Sequence, residues 1–386
     1  MPFDALFAPP EVLATVSDRA WLRAMLVAER ALAVAEAKVG VITRASAGAI
    51  TVCCDPDRFD LAALVSEGRR VGNPAEPLAR ALREAVGGDA AKDVHLGATS
   101  QDVLDTAAAL VAREATALIV ADLDGVAAIC AELADRHRSS VMAARTLLQQ
   151  AVPTTFGLKA ASWLVGVLHA RGRISAARLP VQLGGAGGTL AALGDRGPEV
   201  LHVLAAELSL SEPVVPWHTR RLPLAELGSA HAVAAGWAAK IALDLELLAQ
   251  TEVGEIRLPA NGGSSTMPHK RNPVGPTLVR ANAMRTRAAA DLLVASLPQE
   301  HERAAGAWHA EWGALSDVLA GSGGAAAWLR ETLAGVEVDV ERMRANVGED
   351  TLSEAHRLGI EATRPEDYLG AADAFVDRAL AFYREA

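Results

Sequence analysis

Residues 100–137 run without a proline and with a single interior glycine, Gly125. One α-helix over that stretch is about 55 Å long at about 1.5 Å per residue, which is long for a single compact protomer. Four further helical stretches follow at about 155–179, 224–257, 273–297 and 310–333, and Asp18–Val39 reads as an amphipathic helix ahead of them. All carry faces of Ala, Leu and Val, and alanine is the best helix former. Half of the chain is apolar (51%) and only 4% is aromatic, so the faces are built for close helix–helix packing. Several long helices with apolar faces cannot all be covered within one protomer. The alternatives are a large monomeric bundle and an oligomer whose helices share a common core, and the pattern favours the oligomer. The fold class expected is therefore all-α, with a central long-helix domain at 97–346, an N-terminal helical domain at 1–96 and a short C-terminal helical domain at 347–386.

The formal net charge of −10 argues against nucleic acid and against an anionic membrane surface as partners. It also means that an anionic substrate needs a local cationic pocket. No run of eighteen uncharged apolar residues suggests a membrane span, and MPFDALFAPP lacks the layout of a signal peptide. The three cysteines, two of them adjacent (Cys53 and Cys54), form no disulfide framework. A cytoplasmic enzyme is the expectation.

Three segments place hydroxyls and amides at a helix start. In HLGATSQD, Thr99 and Ser100 stand at the threshold of the longest helix. In RTLLQQAVPTT, Thr146 and Gln149 lead toward a helix that begins near Thr155. In GSSTMPHKRNP, Asn272 reads as an N-cap and Pro273 as a first helical residue. Helix N-termini offer free N–H groups to anions, although ordinary capping explains any one of them. The third is harder to dismiss, because a serine pair, a lysine and a cap crowd one short loop. The glycine-rich stretch LGGAGGTLAALGDRG reads as a loop or short hairpin. It has no preceding strand and no following GK[ST], so a phosphate cradle is disfavoured.

GSSTMPHKRNP resembles the signature loop of the fumarase/aspartase superfamily, and HLGATSQDVLDT and RTLLQQAVPTTFG resemble its other two conserved regions, in the same order. The resemblance implies a homotetramer around a helical-bundle core, with each active site drawing the three regions from three subunits. It implies a small polycarboxylate substrate, addition or elimination through an aci-carboxylate, no cofactor and no metal. Residue by residue, Ser265 matches the group that moves the proton on the carbon next to a carboxylate. An ordinary serine is too weak a base, so the loop's N–H groups and Lys270 would have to stabilise its alkoxide. Lys270, Asn272, Thr99, Ser100 and Gln101 match carboxylate binders, and Thr146 and Gln149 keep the flanks of a Thr-His-x-Gln motif. Arg221 matches an arginine of the family's Arg-Asp-Arg segment. His95 matches a histidine near the substrate, either a ligand or an organiser of its loop.

The histidine of the Thr-His-x-Gln motif is replaced by Leu147, and the glutamate that supports it in adenylosuccinate-lyase-like members is missing from NPVGPT. An amine or hydroxide must be protonated as it leaves. A carboxylate need not be, because its conjugate acid has a pKa of about 4. Together with FDALFAPPEVLATVSDRAWLRAML, PWHTRRLPLAEL, HERAAGAWHAEW and PEDYLGAADAFVDRAL, this resembles the 3-carboxy-cis,cis-muconate cycloisomerase branch. The competing expectations are elimination of a good leaving group such as nitrite from a succinate-like substrate, adenylosuccinate lyase, and a non-catalytic crystallin-like homologue. Trp217, Trp308 and Trp312 read as core anchors. The segment after Arg342-Met-Arg-Ala-Asn346 looks short for the family.

Overall fold

The computed structural model describes residues 3–259, 267 and 270–386. Helix α1 (Asp18–Val39) starts where the Ser17 side chain accepts from the Ala20 N–H and stops at Gly40, whose φ of 82° suits glycine. The central elements are α2 (Ser100–Arg136), α3 (Phe156–Ala176), α4 (Leu222–Ala249), α5 (Val274–Ala295) and α6 (Ala307–Ala334). Consecutive members pack side by side: α2 on α3, α3 on α4, α4 on α5 and α5 on α6, with α6 returning against α2. Helix α3 doubles back from the end of α2, where the Gly157 N–H donates to the His137 carbonyl. One continuous core runs through the bundle, from Leu104, Ala107 and Val111 of α2 to Trp163 of α3, Ile241 of α4 and Val318 of α6. Helix α7 (Ala372–Glu385) closes over α3.

The main departures from the sequence reading fall between helices. Residues 141–155 form an antiparallel hairpin, β1 (Val141–Thr146) with β2 (Gln149–Thr155), where only a lead-in to α3 was expected. Thr155 does cap α3, its hydroxyl accepting from the Leu158 N–H at 3.1 Å. The stretch read as helix over 224–257 ends at Ala249, and Ile256–Arg257 pairs with Glu337–Val338 instead. The glycine-rich loop makes no hairpin and leads into a further helix, Gly197–Leu208. Trp217 and Trp308 are buried, as core anchors should be. No helix among the described residues is long and apolar enough to cross a membrane.

Two features of the packing are unusual. Leu243, Leu247, Met284 and Leu292 leave large apolar side chains exposed on α4 and α5, Met284 at 75%. Within α1, Glu36 is fully buried, and neither carboxyl oxygen has a partner among the described residues. Burial pushes its carboxyl up to about 9, and the charges of Glu29 and Asp93 add to this. The native state therefore keeps a proton on Glu36 that the unfolded chain releases near pH 4.5. The stability tied to that proton is complete below about pH 4.5 and is lost as pH rises through about 9. Thermal unfolding should show Glu36→Gln gaining on the parent protein steadily from pH 5 to pH 9. A constant difference across that range would mean that Glu36 is ionised in the native state.

Candidate active site

Asp102 organises the start of α2. As the third residue of the helix it accepts from the Thr99 N–H at 2.9 Å, one half of a capping box. The same carboxylate accepts from the Gly184 and Gly185 N–H groups, both at 2.9 Å, and from His218 Nε2 at 2.6 Å. The glycine-rich loop is thereby tied to the Thr99 loop, and two of the N–H groups a phosphate cradle would need are already taken. Close approach explains the glycines. A Cβ on Gly97 would stand 2.5 Å from Leu193, and one on Gly185 would stand 2.8 Å from the Gly97 carbonyl. Thr99 and Ser100 remain partly exposed at the helix end.

Two residues expected to bind substrate are occupied by protein groups. Gln101 is fully buried. Its Nε2 donates to the His218 carbonyl at 2.7 Å, and its Oε1 accepts from Arg303 at 3.3 Å. Arg221 is 2% exposed and lies between two acids. Its Nη1 and Nη2 donate to Asp105 at 2.7 and 2.9 Å, its Nε and Nη2 reach Glu311 at 3.0 and 2.6 Å, and Nη1 also meets the Trp217 carbonyl at 3.3 Å. That arrangement uses every N–H of the guanidinium. Arg221 joins the starts of α2, α4 and α6, and no donor is left for a substrate carboxylate. Burial pushes the Glu311 carboxyl up against the pull of Arg221, and the Asp105 charge works in the same direction.

His95 lies in the loop ahead of Thr99 with a φ of 61°, and its Nδ1 is 2.5 Å from Glu29 Oε1 of α1. Burial opposes a charge on the ring, but the Glu29 carboxylate more than offsets it, and the imidazole is held above its ordinary range.

The other expected residues lie at the far end of the bundle. A helix of 37 residues separates Thr99 from the hairpin, about 55 Å at about 1.5 Å per residue. Thr146 and Gln149 are opposite each other in register at the hairpin tip, both exposed. Leu147 and Leu148 form the two-residue turn, with φ of 51° and 65°, and are 96% and 76% exposed. Such a turn wants positive φ at both positions, which Asn-Gly supplies at little strain and leucine does not. Next to the tip, Arg145 is held by the buried Glu255, which accepts from it at 2.5 and 3.0 Å and from Asn346 at 2.9 Å. Lys270 and Asn272 line a nearby cleft of ≈ 940 Å³ with Gln250, Glu252, Arg257 and Glu337. Asn272 was expected to cap the following helix. The helix starts at Val274, with Pro273 in the capping position and no side-chain cap. Ser265 lies outside the described residues.

A single protomer thus holds His95, Thr99 and Ser100 at one end and Thr146, Gln149, Lys270 and Asn272 at the other. The sequence reading assigned no role to Asp102, Asp105, Glu311, Glu29 or Arg303. Asp102 and Asp105, two acids in the first two turns of a helix that runs on as Ala, Leu and Val, were the available signal.

A lyase family model matches residues 8–287. The chain belongs to that family. The relatives of this lyase include a nitrosuccinate lyase of Streptomyces davaonensis, 47% identical over 352 residues, which covers 87% of this chain and 74% of that protein. A 3-carboxy-cis,cis-muconate cycloisomerase of Pseudomonas aeruginosa is 44% identical over 355 residues, covering 90% and 77% respectively. The crystal structure of the 3-carboxy-cis,cis-muconate lactonizing enzyme from Pseudomonas putida superposes on the lyase with a TM-score of 0.93 at 36% identity, covering 100% of this chain and 99% of that one.

If Arg221 serves the framework, removing it leaves two buried carboxylates unpaired. Arg221→Met should destabilise the lyase by about 3–5 kcal/mol, and adding Asp105→Asn and Glu311→Gln should recover part of that. A stable Arg221→Met protein whose only defect was a raised KM would return Arg221 to the substrate.

Proposed function

We propose that this lyase is a 3-carboxy-cis,cis-muconate cycloisomerase that works as a homotetramer with composite active sites. The observation that carries the chemistry is the hairpin tip. Where an amine-releasing relative needs an acid, this chain presents Leu147, 96% exposed, between Thr146 and Gln149. A strained, apolar, solvent-facing turn is a poor surface feature for a monomer and suits insertion into another protomer. The exposed apolar side chains of α4 and α5 supply a face for the same assembly.

In the proposed reaction one carboxylate of the substrate adds to the alkene, forming the C–O bond of a γ-lactone. The alkene electron pair moves into the neighbouring carboxylate as an aci-carboxylate. It then returns to the carbon beside that carboxylate to take the proton of Ser265, and the serine alkoxide is reprotonated from solvent. No atom is lost, and the reverse is elimination of carboxylate. Lys270 and Asn272 from one subunit, with Thr99, Ser100 and His95 from another, supply the cationic and N–H donors that such an anion needs. Thr146 and Gln149 flank the tip. The expected roles of Gln101 and Arg221 become support for this frame. The chemistry fits a cytoplasmic enzyme on a small polycarboxylate, which the net negative charge of the chain obliges to bind at a local cationic pocket.

A second reading has its own support in the nitrosuccinate lyase relative at 47% identity. Nitrite, like carboxylate, leaves without a proton, so Leu147 suits both. Purified protein offered 3-carboxy-cis,cis-muconate, nitrosuccinate and adenylosuccinate separates the readings by the absorbance change of each. Lactone formation should dominate, and AMP release from adenylosuccinate should be undetectable. Leu147→His should leave lactone formation unchanged or slower, since an imidazole without its acidic partner is poorly oriented. AMP release at an enzymatic rate, or a tenfold gain in lactone formation on Leu147→His (about 1.4 kcal/mol of barrier), would contradict the proposal.

A further inference from the structure

Helix α1 carries an acid where its pattern calls for an apolar residue. Glu29 is 2% exposed on a face that also buries Leu22, Met25, Leu26, Leu32 and Ala33. A carboxylate in such a place is destabilising unless it is paired. One oxygen is paired, at 2.5 Å from His95 Nδ1, and the other has no partner among the described residues. The partner is held unfavourably as well. His95 has a φ of 61°, a left-handed conformation that a residue with a Cβ adopts at an energetic cost. A buried acid and a strained backbone therefore meet in a single contact, four residues ahead of the helix start at Thr99.

That contact fixes which ring nitrogen faces Glu29. A carboxylate accepts only, so Nδ1 carries hydrogen and donates to Glu29, and Nε2 is the ring nitrogen turned away from it. Nε2 has no partner among the described residues. We infer that Glu29 is a positioning residue of the active site, fixing the orientation of the His95 ring through Nδ1 and favouring its protonated form, in which Nε2 also carries hydrogen and donates to a substrate carboxylate. This rests on the proposed polycarboxylate function, in which the Thr99 end of α2 receives one carboxylate and a donor beside it adds charge to the helix N–H groups.

The charged groups acting on the ring come from three elements. Glu29 from α1 and Asp102 from α2 favour its protonation, and Arg83, from the helix Ala75–Val86, opposes it. Glu36, two turns along α1 from Glu29, retains a proton at neutral pH and adds no charge there. Glu29 is thus the closest anion, the one in hydrogen-bond contact.

Histidine-selective carbon-13 labelling of the full-length protein, with His95→Gln to assign the signal, reads the ring directly. Glu29→Gln keeps an oxygen acceptor for Nδ1 but removes the charge. In that variant the His95 titration midpoint should fall by about one pH unit or more, and KM for the polycarboxylate should rise about tenfold at pH 8 with a much smaller change in kcat. Glu29→Asp, which keeps the charge on a shorter arm, should show both effects in smaller measure and serves if Glu29→Gln does not fold. A folded variant in which the His95 midpoint and tautomer are unchanged would overturn the inference. So would a shifted midpoint with KM unaltered. A parent protein inactive on every polycarboxylate would defeat the functional proposal, while the labelled spectra would still decide whether Glu29 governs the ring.

Discussion

The guanidinium of Arg221, buried between Asp105 and Glu311, joins the starts of three long helices. It ties that end of the bundle together through Asp105, Glu311 and the Trp217 carbonyl. Asp105 also receives Trp308 Nε1 at 3.1 Å and Gln182 Nε2 at 3.1 Å, so the same carboxylate anchors the start of α6 and the segment that enters the glycine-rich loop. One helical turn earlier, Asp102 gathers Thr99, Gly184, Gly185 and His218. The two aspartates build a rigid platform from buried charge, with Thr99, Ser100 and His95 at its edge. Buried ion pairs add little net stability against apolar replacements of similar shape, but breaking one is severe. Their value here is in position, since they add fixed directions to loops that Val94 and Trp217 already anchor in the core.

The same helices that hold the platform keep it away from the other candidate groups. The hairpin and the Lys270–Asn272 cleft lie beyond the opposite end of a bundle about 55 Å long. No motion of one compact protomer brings those ends together without unfolding it. If these groups act on one substrate, they come from different copies of the chain. The exposed leucines of the hairpin tip and the apolar outer faces of α4 and α5 are what such an assembly would cover.

Much of this architecture was legible in the sequence. Helix α1 runs from Asp18 to Val39 as read, and α2 starts at Ser100 as read, because Ser17, Thr99 and Gly40 are strong boundary signals. The hairpin was missed because Leu147–Leu148 is the reverse of the Asn-Gly signal for such a turn. Helix α4 was extended too far because nothing between Ala249 and Gly254 breaks the pattern. The role of Arg221 was out of reach for a different reason. Its partners lie 116 and 90 residues away, and only the fold shows that they meet. The platform residues Asp102 and Asp105 were quoted within the motif, yet a motif does not tell an acid that touches substrate from one that holds the loop.

The account turns on whether one active site is assembled from several protomers, and subunit complementation measures this most directly. His95→Ala and Lys270→Ala disable opposite ends of the same chain. Each variant alone should be severely impaired. Co-expressed with different tags and purified as mixed oligomers, they should recover about a quarter of the parent activity, since random pairing of two independent contributors leaves about one site in four intact. Activity no greater than the average of the two parental variants would show that each protomer builds its site alone, and the composite-site account would be wrong.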